Sequence, residues 1–433
     1  MFQSLFSFLI AILTLEGSYP EKSPLPFLYK SGIALAAYLF ILSLFLLQKR
    51  LFIGKRRTKR YASQLTFLGM AELFVWLLFV QGILNLQAGR SDWESFGIKT
   101  VLITLFLIGV SFLQLTIANS FSIKKFIHSL KGYSFLFLIP FSLAYLFFDL
   151  LKIALSSILS KGTSDIADIF DLLLTFSFAL VALAVMAPIT VKIWGCKPIK
   201  QSELKLRLEE RCRSVGFHHR GLLVWGIMGQ TITAALFGFL PRLRYILFTE
   251  PLLNQFTHEE VEAVLLHELG HFHYKHLFLY PLICLGAGFC LSVLYAYAEP
   301  YLGINGGTNG MGFILFFIVS ILFLYLYFRV VFGFFSRMFE RAADLFPLKV
   351  GYDPRFLVSA LKKISHLTDI PLSEPNWHHG SLKQRIQTIE RAWLQPTFVK
   401  RYEAFSRAWI FCYLVFFFTI AILFLLKLFN SGL

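Results

Sequence analysis

The feature that most constrains this chain is a series of apolar runs, each about as long as the 20 residues that a helix needs to cross a bilayer. We predict eight such spans, at 27–47, 65–87, 98–118, 133–155, 169–191, 277–297, 311–335 and 407–428. The sequence is 57% hydrophobic and 15% charged, whereas a soluble domain is about half apolar and a quarter charged. The pattern therefore predicts a mainly α, polytopic membrane protein and excludes an ordinary soluble one.

A ninth apolar stretch, residues 2–15, is too short to be a typical span. It has no basic leader and is therefore a poor match to a signal peptide. We expect an interfacial or partial helix there. The absence of a targeting segment and the short loops favour a bacterial inner membrane, with a membrane of the endoplasmic-reticulum type as the second choice.

The basic residues of the chain are distributed as a membrane topology requires. The formal net charge is +16, and seven Lys or Arg residues lie between the first two predicted spans, whereas the loop at 298–310 has none. Basic and basic-poor loops alternate along the chain, as the positive-inside rule expects. This pattern places 192–276 and 336–406 on the cytoplasmic side, and it explains the excess charge without a nucleic-acid partner.

A short polar stretch before the sixth span carries the strongest chemical motif. The segment from Glu262 to His276 reads EAVLLHELGHFHYKH. It follows Thr257 and Glu260, which have the spacing of a helix-initiating capping box. We therefore expect one helix that carries this segment and continues into the span at 277.

Three residues of this segment form the HExxH motif: His267, Glu268 and His271. Positions i and i+4 lie about 40° apart on a helix, so both imidazoles can bind one zinc ion. Glu268 then lies beside the metal-bound water as a general base. His273 and His276 fall about 240° and 180° from His267 on a continuous helix, and we expect both to point away from the metal.

A third zinc ligand must come from another part of the chain. The hairpin formed by 277–297 and 311–335 returns the chain to the same side of the membrane, where Glu340 and Asp344 follow the second span. These two carboxylates are spaced i, i+4 and share a helix face, so that one can bind zinc while the other orients a ligand imidazole. The five cysteines form no CxxC pair and are poor candidates for ligands.

Taken together, these motifs resemble the CAAX prenyl protease 1 family and its HtpX-type relatives, which are integral-membrane zinc metalloendopeptidases. The family pattern HELGHxxxxH is matched by His267 to His276, and RxxExxxD by Arg337, Glu340 and Asp344. A third motif, HxSxxxR, is matched from His379 to Arg385. The substrate-binding strand of the family resembles the segment from Thr233 to Gly238.

The resemblance implies a specific site. One zinc ion per chain would be bound by His267, His271 and Glu340, and Glu268 would be the general base. Asp344 and Arg337 would support the ligands, and His379 and Arg385 would lie near the developing oxyanion, where positive charge stabilises the transition state. A peptide or protein substrate, associated with the membrane, would contact the strand at Thr233 and Ala234.

The chain departs from the family pattern at two motif positions. Thr233 stands where the family has asparagine, which puts side-chain contacts to the substrate backbone in doubt. Gly380 stands where it has proline, which suggests a more mobile loop. The last span, 407–428, has no obvious place in the pattern.

The predicted architecture is an α-helical membrane protein with a small α+β zinc-metalloprotease domain split around a two-span hairpin. The domain strands are expected at 221–227, 231–238 and 243–250. Five parts follow: a membrane region at 1–191, the first catalytic part at 192–276, the hairpin at 277–335, the second catalytic part at 336–406, and a C-terminal span at 407–433.

The function that follows is hydrolysis of peptide bonds in membrane-associated or lipid-linked peptides, prenylated ones included, or in misfolded membrane proteins. The alternative is a zinc-binding sensor or transporter without hydrolysis. Ionisable residues in or beside predicted spans favour that alternative, namely Glu72, Asp149, Lys152 and Asp171. The intact Glu268 argues against it, because coordination alone does not need this carboxylate.

Overall fold

A computed structural model describes most of the C-terminal half of the chain and selected parts of the N-terminal half. The described residues are 27–52, 73, 97–102, 105–106, 108–109, 112, 187–192, 194–225, 231–302, 310–374 and 379–430. The chain divides into two compact units, Met1–Cys196 and Lys197–Leu433. Residues 2–15, the predicted span 133–155, nearly all of 65–87, most of 169–191 and parts of 98–118 lie outside the described residues, as do Glu72, Asp149, Lys152 and Asp171.

The first unit contains the helix α1, Phe27–Phe52, which covers the predicted span 27–47. Its apolar part is Lys30–Leu46. The Tyr38 hydroxyl of this helix donates a hydrogen bond of 2.7 Å to the carbonyl oxygen of Leu105, and Phe45 is fully buried. A tyrosine buried in an apolar environment needs such an acceptor, so this bond fixes α1 to the segment around Leu105.

The second unit begins with a small sheet and two helices that precede the helix with the HExxH motif. Helix α2 spans Glu203–Ser214, and the strands are β1 (Lys197–Pro198), β2 (Gly221–Val224), β3 (Ala234–Phe237) and β4 (Tyr245–Phe248). The strand order is β1-β2-β4-β3, with β2 parallel to β4 and the outer pairs antiparallel. The three predicted strands are present, although each is shorter than expected, and helix α3 follows at Glu250–Gln255.

Helix α4, His258–His273, carries the HExxH motif. The predicted capping box is confirmed: Glu260 N–H donates to Thr257 Oγ1, and Thr257 N–H donates to Glu260 Oε2 at 2.9 Å. The apolar face of α4 packs into a core with the sheet, in which Leu265 and Leu269 are buried beside Ile246. This packing fixes the direction in which the opposite face presents its histidines.

The predicted continuity between α4 and the following span is wrong. Helix α4 ends at His273, and Lys275 adopts a left-handed backbone conformation with φ of 59°. A second helix, α5, then begins at His276 and continues to Leu302. A residue with positive φ cannot continue a right-handed helix, so α4 and α5 are separate rods joined at Tyr274 and Lys275.

The hairpin returns through helix α6 (Gly310–Tyr327), a π-helical turn (Phe328–Phe332) and helix α7 (Gly333–Lys349). The amphipathic helices α8 (Pro354–Leu367) and α9 (Leu382–Leu394) follow, and α10, Thr397–Asn430, ends the described chain. Among the described residues, three helical segments are long and apolar enough to cross a membrane: His276–Tyr295, Ile318–Lys349 and Thr397–Leu423. They overlap the predicted spans 277–297, 311–335 and 407–428, although Ile318–Lys349 extends 14 residues beyond the predicted end at 335.

The last span is packed against the hairpin. Tyr413 of α10 lies 2.9 Å from Tyr327, hydroxyl to hydroxyl, and donates to the carbonyl oxygen of Leu282 at 3.2 Å. Near the C-terminal end of α4, Glu403 accepts hydrogen bonds from Tyr274 at 2.7 Å and from Lys349 at 2.6 Å. Helix α10 therefore braces both the hairpin and the junction between α4 and α5, which gives the last span a structural role.

Gly270 allows α4 and α7 to approach closely. A Cβ atom at this position would lie 2.8 Å from Phe346 Cβ and 3.0 Å from Ala343 Cα, both of which belong to α7. Such distances require the helix backbones to separate. The glycine of the motif is therefore a packing residue for the two helices that carry the candidate ligands.

We expect Gly270→Ala to destabilise the protein by about 1–3 kcal/mol, the usual cost of overpacking a core, and to weaken zinc binding. Thermal unfolding in detergent and zinc titration measure the two effects. Gly288→Ala in α5 is the matched control, because a Cβ atom there meets nothing within 4 Å. Equal behaviour of the two variants would contradict the packing role.

Candidate metal centre

Three side chains from two helices converge on one point. His267 and His271 come from α4, and Glu340 comes from α7; one donor atom from each lies within 4.8 Å of the others. His267 Nε2 lies 3.8 Å from Glu340 Oε2, and His271 Nε2 lies 3.6 Å from Glu340 Oε1. Two imidazole nitrogens and one carboxylate oxygen form a donor set that suits zinc, with one position left for water or substrate.

Asp344 and Arg385 contact the candidate ligands and fix their orientation. Asp344 is fully buried, and its Oδ1 lies 2.9 Å from His267 Nδ1. Arg385 of α9 donates two hydrogen bonds to Asp344, of 2.8 and 2.7 Å, and its Nη1 lies 3.2 Å from Glu340 Oε2. A carboxylate on Nδ1 leaves the Nε2 lone pair of His267 for a metal, which is the arrangement that ligand histidines usually have.

Burial and neighbouring charges shift the pKa values of the three α4 residues in different directions. Burial lowers the pKa of His271 to about 3, so the ring is neutral at physiological pH and can act as a ligand. Burial alone would also lower the pKa of His267, but the hydrogen bond and the charge of Asp344 outweigh this effect and raise it. Burial raises the pKa of Glu268 to about 7, which allows this carboxyl group to exchange a proton near neutral pH.

His379 also lies at this centre. Its Nδ1 is 2.9 Å from Glu340 Oε1, and about half of the side chain is exposed. The adjacent Gly380 has φ of 74°, a value that proline cannot adopt because its ring fixes φ near −65°. The glycine that replaces the proline of the family motif thus has a backbone conformation that proline could not adopt at this turn. Arg337 lies against the same turn, with its Cγ 3.9 Å from the position of a Gly380 Cβ.

The expectation that His276 points away from the metal is wrong. Its Nδ1 lies 3.0 Å from His271 Nδ1, and only 1% of the residue is exposed. The prediction assumed a continuous helix, whereas the break at Lys275 turns the His276 ring back toward α4. His273 does point away, toward Lys349 Nζ at 3.3 Å. The match of His276 to the final histidine of the family pattern HELGHxxxxH was the sequence signal that this residue belongs to the site.

The predicted substrate strand lies at one edge of the sheet. β3 pairs with β4, and among the described residues its other edge has no strand partner. Thr233 precedes β3 and is fixed by Thr249, whose Oγ1 accepts from the Thr233 N–H at 3.1 Å and donates to the Thr233 carbonyl oxygen at 3.0 Å. Ala234, the first residue of β3, pairs with Phe248.

Comparisons with known proteins agree with this geometry. The model of the family described as Peptidase family M48 matches residues 198–393. No curated protein matches the chain in sequence. The crystal structure of S. mikatae Ste24p matches with a TM-score of 0.54 and 17% identity, over 85% of this chain and 100% of that one, which shows a shared fold. The region similar to peptidase family M48, residues 198–393, contains all three candidate ligands, His267, His271 and Glu340.

Proposed function

We propose that this chain is a zinc-dependent endopeptidase of the membrane, which hydrolyses peptide bonds in membrane-associated or lipid-linked substrates. The observation that carries the proposal is the convergence of His267, His271 and Glu340 on one point, with Glu268 next to the first ligand on the same helix. A metal site that served only to bind an ion would not need, beside its first ligand, a buried carboxyl group outside the converging ligand set.

Each residue of the site has a chemical task in this proposal. Bound zinc would supply Lewis-acid polarisation of the scissile carbonyl and would lower the pKa of water. Glu268 accepts the proton of the attacking water and passes it to the leaving amine. Asp344 and Arg385 keep His267 and Glu340 oriented. His379, which is partly exposed, and Arg385 are proposed to stabilise the negative charge that develops on the carbonyl oxygen.

The substrate is proposed to bind as an additional strand along β3. The outer edge of β3 offers backbone N–H and C=O groups to an extended peptide, a common mode of peptide recognition. β3 packs on α4, so a peptide bound along β3 would lie near the helix that carries the HExxH motif. Because the Thr233 hydroxyl already donates to the Ala234 carbonyl oxygen at 3.1 Å, we propose that backbone groups of β3 rather than the Thr233 side chain hold the substrate.

The location of the three spans extends the proposal to the substrate class, and the alternation of basic and basic-poor loops extends it to the cellular side. Glu340 lies on the helical segment Ile318–Lys349 that is itself apolar enough to span a membrane, so the centre is close to the bilayer surface. Large apolar side chains on the spans are exposed, Phe411 and Phe418 among them, as expected for contact with lipid. We propose a cytoplasmic-side active site, in a bacterial inner membrane, that takes prenylated or otherwise membrane-bound peptides.

Metal removal tests the proposed function. The protein, purified in detergent, is expected to contain about one zinc ion per chain and to cleave some members of a library of prenylated and unmodified membrane peptides. A chelator such as 1,10-phenanthroline should abolish cleavage, and added zinc should restore it. Cleavage that persists after the zinc has been removed would refute the proposal. Zinc binding without cleavage of any peptide would instead support the sensor or transporter alternative.

A further inference from the structure

The break between α4 and α5 brings a histidine that is not a candidate ligand against one that is. Lys275, with φ of 59°, turns the chain, so that His276 begins α5 instead of extending α4. The His276 ring is fully enclosed: it stacks on Phe339 of α7, with ring centroids 4.2 Å apart and planes inclined by 15°. A buried imidazole needs a hydrogen-bond partner, and the structure provides His271.

Metal binding by His271 would define which of the two contacting nitrogen atoms donates the proton. His276 Nδ1 lies 3.0 Å from His271 Nδ1, a hydrogen-bond distance. A neutral imidazole carries one proton, on either Nδ1 or Nε2. The Nε2 atom of His271 faces Glu340 at 3.6 Å, and a ligand nitrogen must be unprotonated. The proton of His271 is therefore on Nδ1, and His276 Nδ1 accepts it.

Each of the two candidate histidine ligands thus has a hydrogen-bond acceptor at its Nδ1 atom, but the two acceptors are different chemical groups. His267 presents its Nδ1 to the carboxylate of Asp344 at 2.9 Å, and His271 presents its Nδ1 to the neutral imidazole of His276 at 3.0 Å. An acceptor on Nδ1 fixes both the tautomer and the rotation of the ring, and removal of such an acceptor typically costs 10- to 100-fold in metal affinity.

We propose that His276 is a positioning residue of the zinc site, which holds His271 in the tautomer and orientation that metal binding requires. This inference rests on the proposed zinc site. It assigns to His276 a role through His271 alone, without contact to the metal or to substrate.

Three substitutions separate the hydrogen bond from the packing of the ring. His276→Phe keeps an aromatic ring that can stack on Phe339 but removes the acceptor. His276→Asn loses the stack but places an amide oxygen close to the original Nδ1. We expect the Phe variant to bind zinc about 10- to 100-fold more weakly than the wild type, and the Asn variant to recover most of that loss. Phe339→Leu, which removes the stack and leaves the hydrogen bond, should bind zinc almost normally.

The readouts are zinc affinity, measured by competition with a chromogenic chelator, and the visible absorption spectrum of the Co²⁺-substituted protein, which reports ligand geometry. The expected spectrum is altered in His276→Phe and close to wild type in His276→Asn. Wild-type affinity in His276→Phe together with a loss in His276→Asn would overturn the inference and indicate a packing role. Equal losses in the two variants would also overturn it, because an amide acceptor would then fail to replace the imidazole. A wild-type protein that binds no zinc would refute the proposed function itself, an outcome recognisable before any variant is made.

Discussion

Glu268→Gln is expected to lower peptide hydrolysis by about 10²- to 10⁴-fold, the range that a general base contributes, while zinc content stays at the wild-type level. The side chain keeps its size and loses only its ability to accept a proton. None of the three candidate ligands is altered, because Glu268 does not belong to the converging set. The combination of bound metal and lost turnover therefore distinguishes a catalytic base from a ligand.

The measurement is single-turnover cleavage of a fluorescent membrane peptide, together with zinc analysis of the same preparation. Glu259→Gln is the control, since Glu259 lies on the same helix but pairs with Arg207 at 2.9 Å, on the side facing α2. That variant should keep its activity. If Glu268→Gln retained more than a tenth of the wild-type rate, the assignment of the base would be wrong. The inactive variant would also retain bound substrate, which can then be identified by mass spectrometry.

Glu340→Ala is expected to remove zinc from the protein, with an affinity loss above the roughly 100-fold that loss of a supporting residue can cause. One of the three donors disappears, and the remaining imidazoles lie on one helix with no carboxylate opposite them. Arg385 and His379 also lose their contacts to Glu340, of 3.2 and 2.9 Å. Hydrolysis should fall with the metal, in contrast to Glu268→Gln.

Zinc per chain after dialysis, and affinity by chelator competition, measure this effect. Glu390→Ala on the exposed face of α9 serves as the control and should bind zinc normally. Glu340→Gln tests whether the charge or only the volume is needed, and we expect it to bind zinc weakly. Circular dichroism shows whether each variant folds. A folded Glu340→Ala protein with one tightly bound zinc ion would mean that another residue is the third ligand.

The parts of this site that could be predicted from the sequence are those set by helical spacing. His267 and His271 share a face because they are four residues apart, and Thr257 with Glu260 forms a capping box for the same reason. Glu340 and Asp344 also share a face, but spacing could not show which one meets the histidine pair. The packing of α7 on α4 makes this distinction: Glu340 faces both Nε2 atoms, and Asp344 faces His267 Nδ1.

Features that depend on the backbone or on distant packing could not be predicted in this way. Lysine has no preference for a left-handed conformation, so nothing at Lys275 indicated the helix break, and the position of His276 followed from that break. The bonds from Arg385 to Asp344 join residues 41 positions apart and depend on how α9 packs against α7. The resemblance placed Arg385 at the oxyanion; its observed contacts are with the carboxylates, and the oxyanion role stays a prediction.

The π-helical turn at Phe328–Phe332 has a consequence for the rotational phase of the third ligand. The residues that flank it, Tyr327 and Gly333, both have right-handed helical backbone angles, so the membrane helix α6 passes into α7 without a stop. A π turn accommodates one residue more than an α turn, and each residue advances a helix by about 100°. Deleting one residue here would rotate Glu340 by about that angle relative to α6. The wide turn thus sets the rotation of α7 relative to α6. It lets α6 turn its apolar side chains to lipid while α7 turns Glu340 toward the metal site.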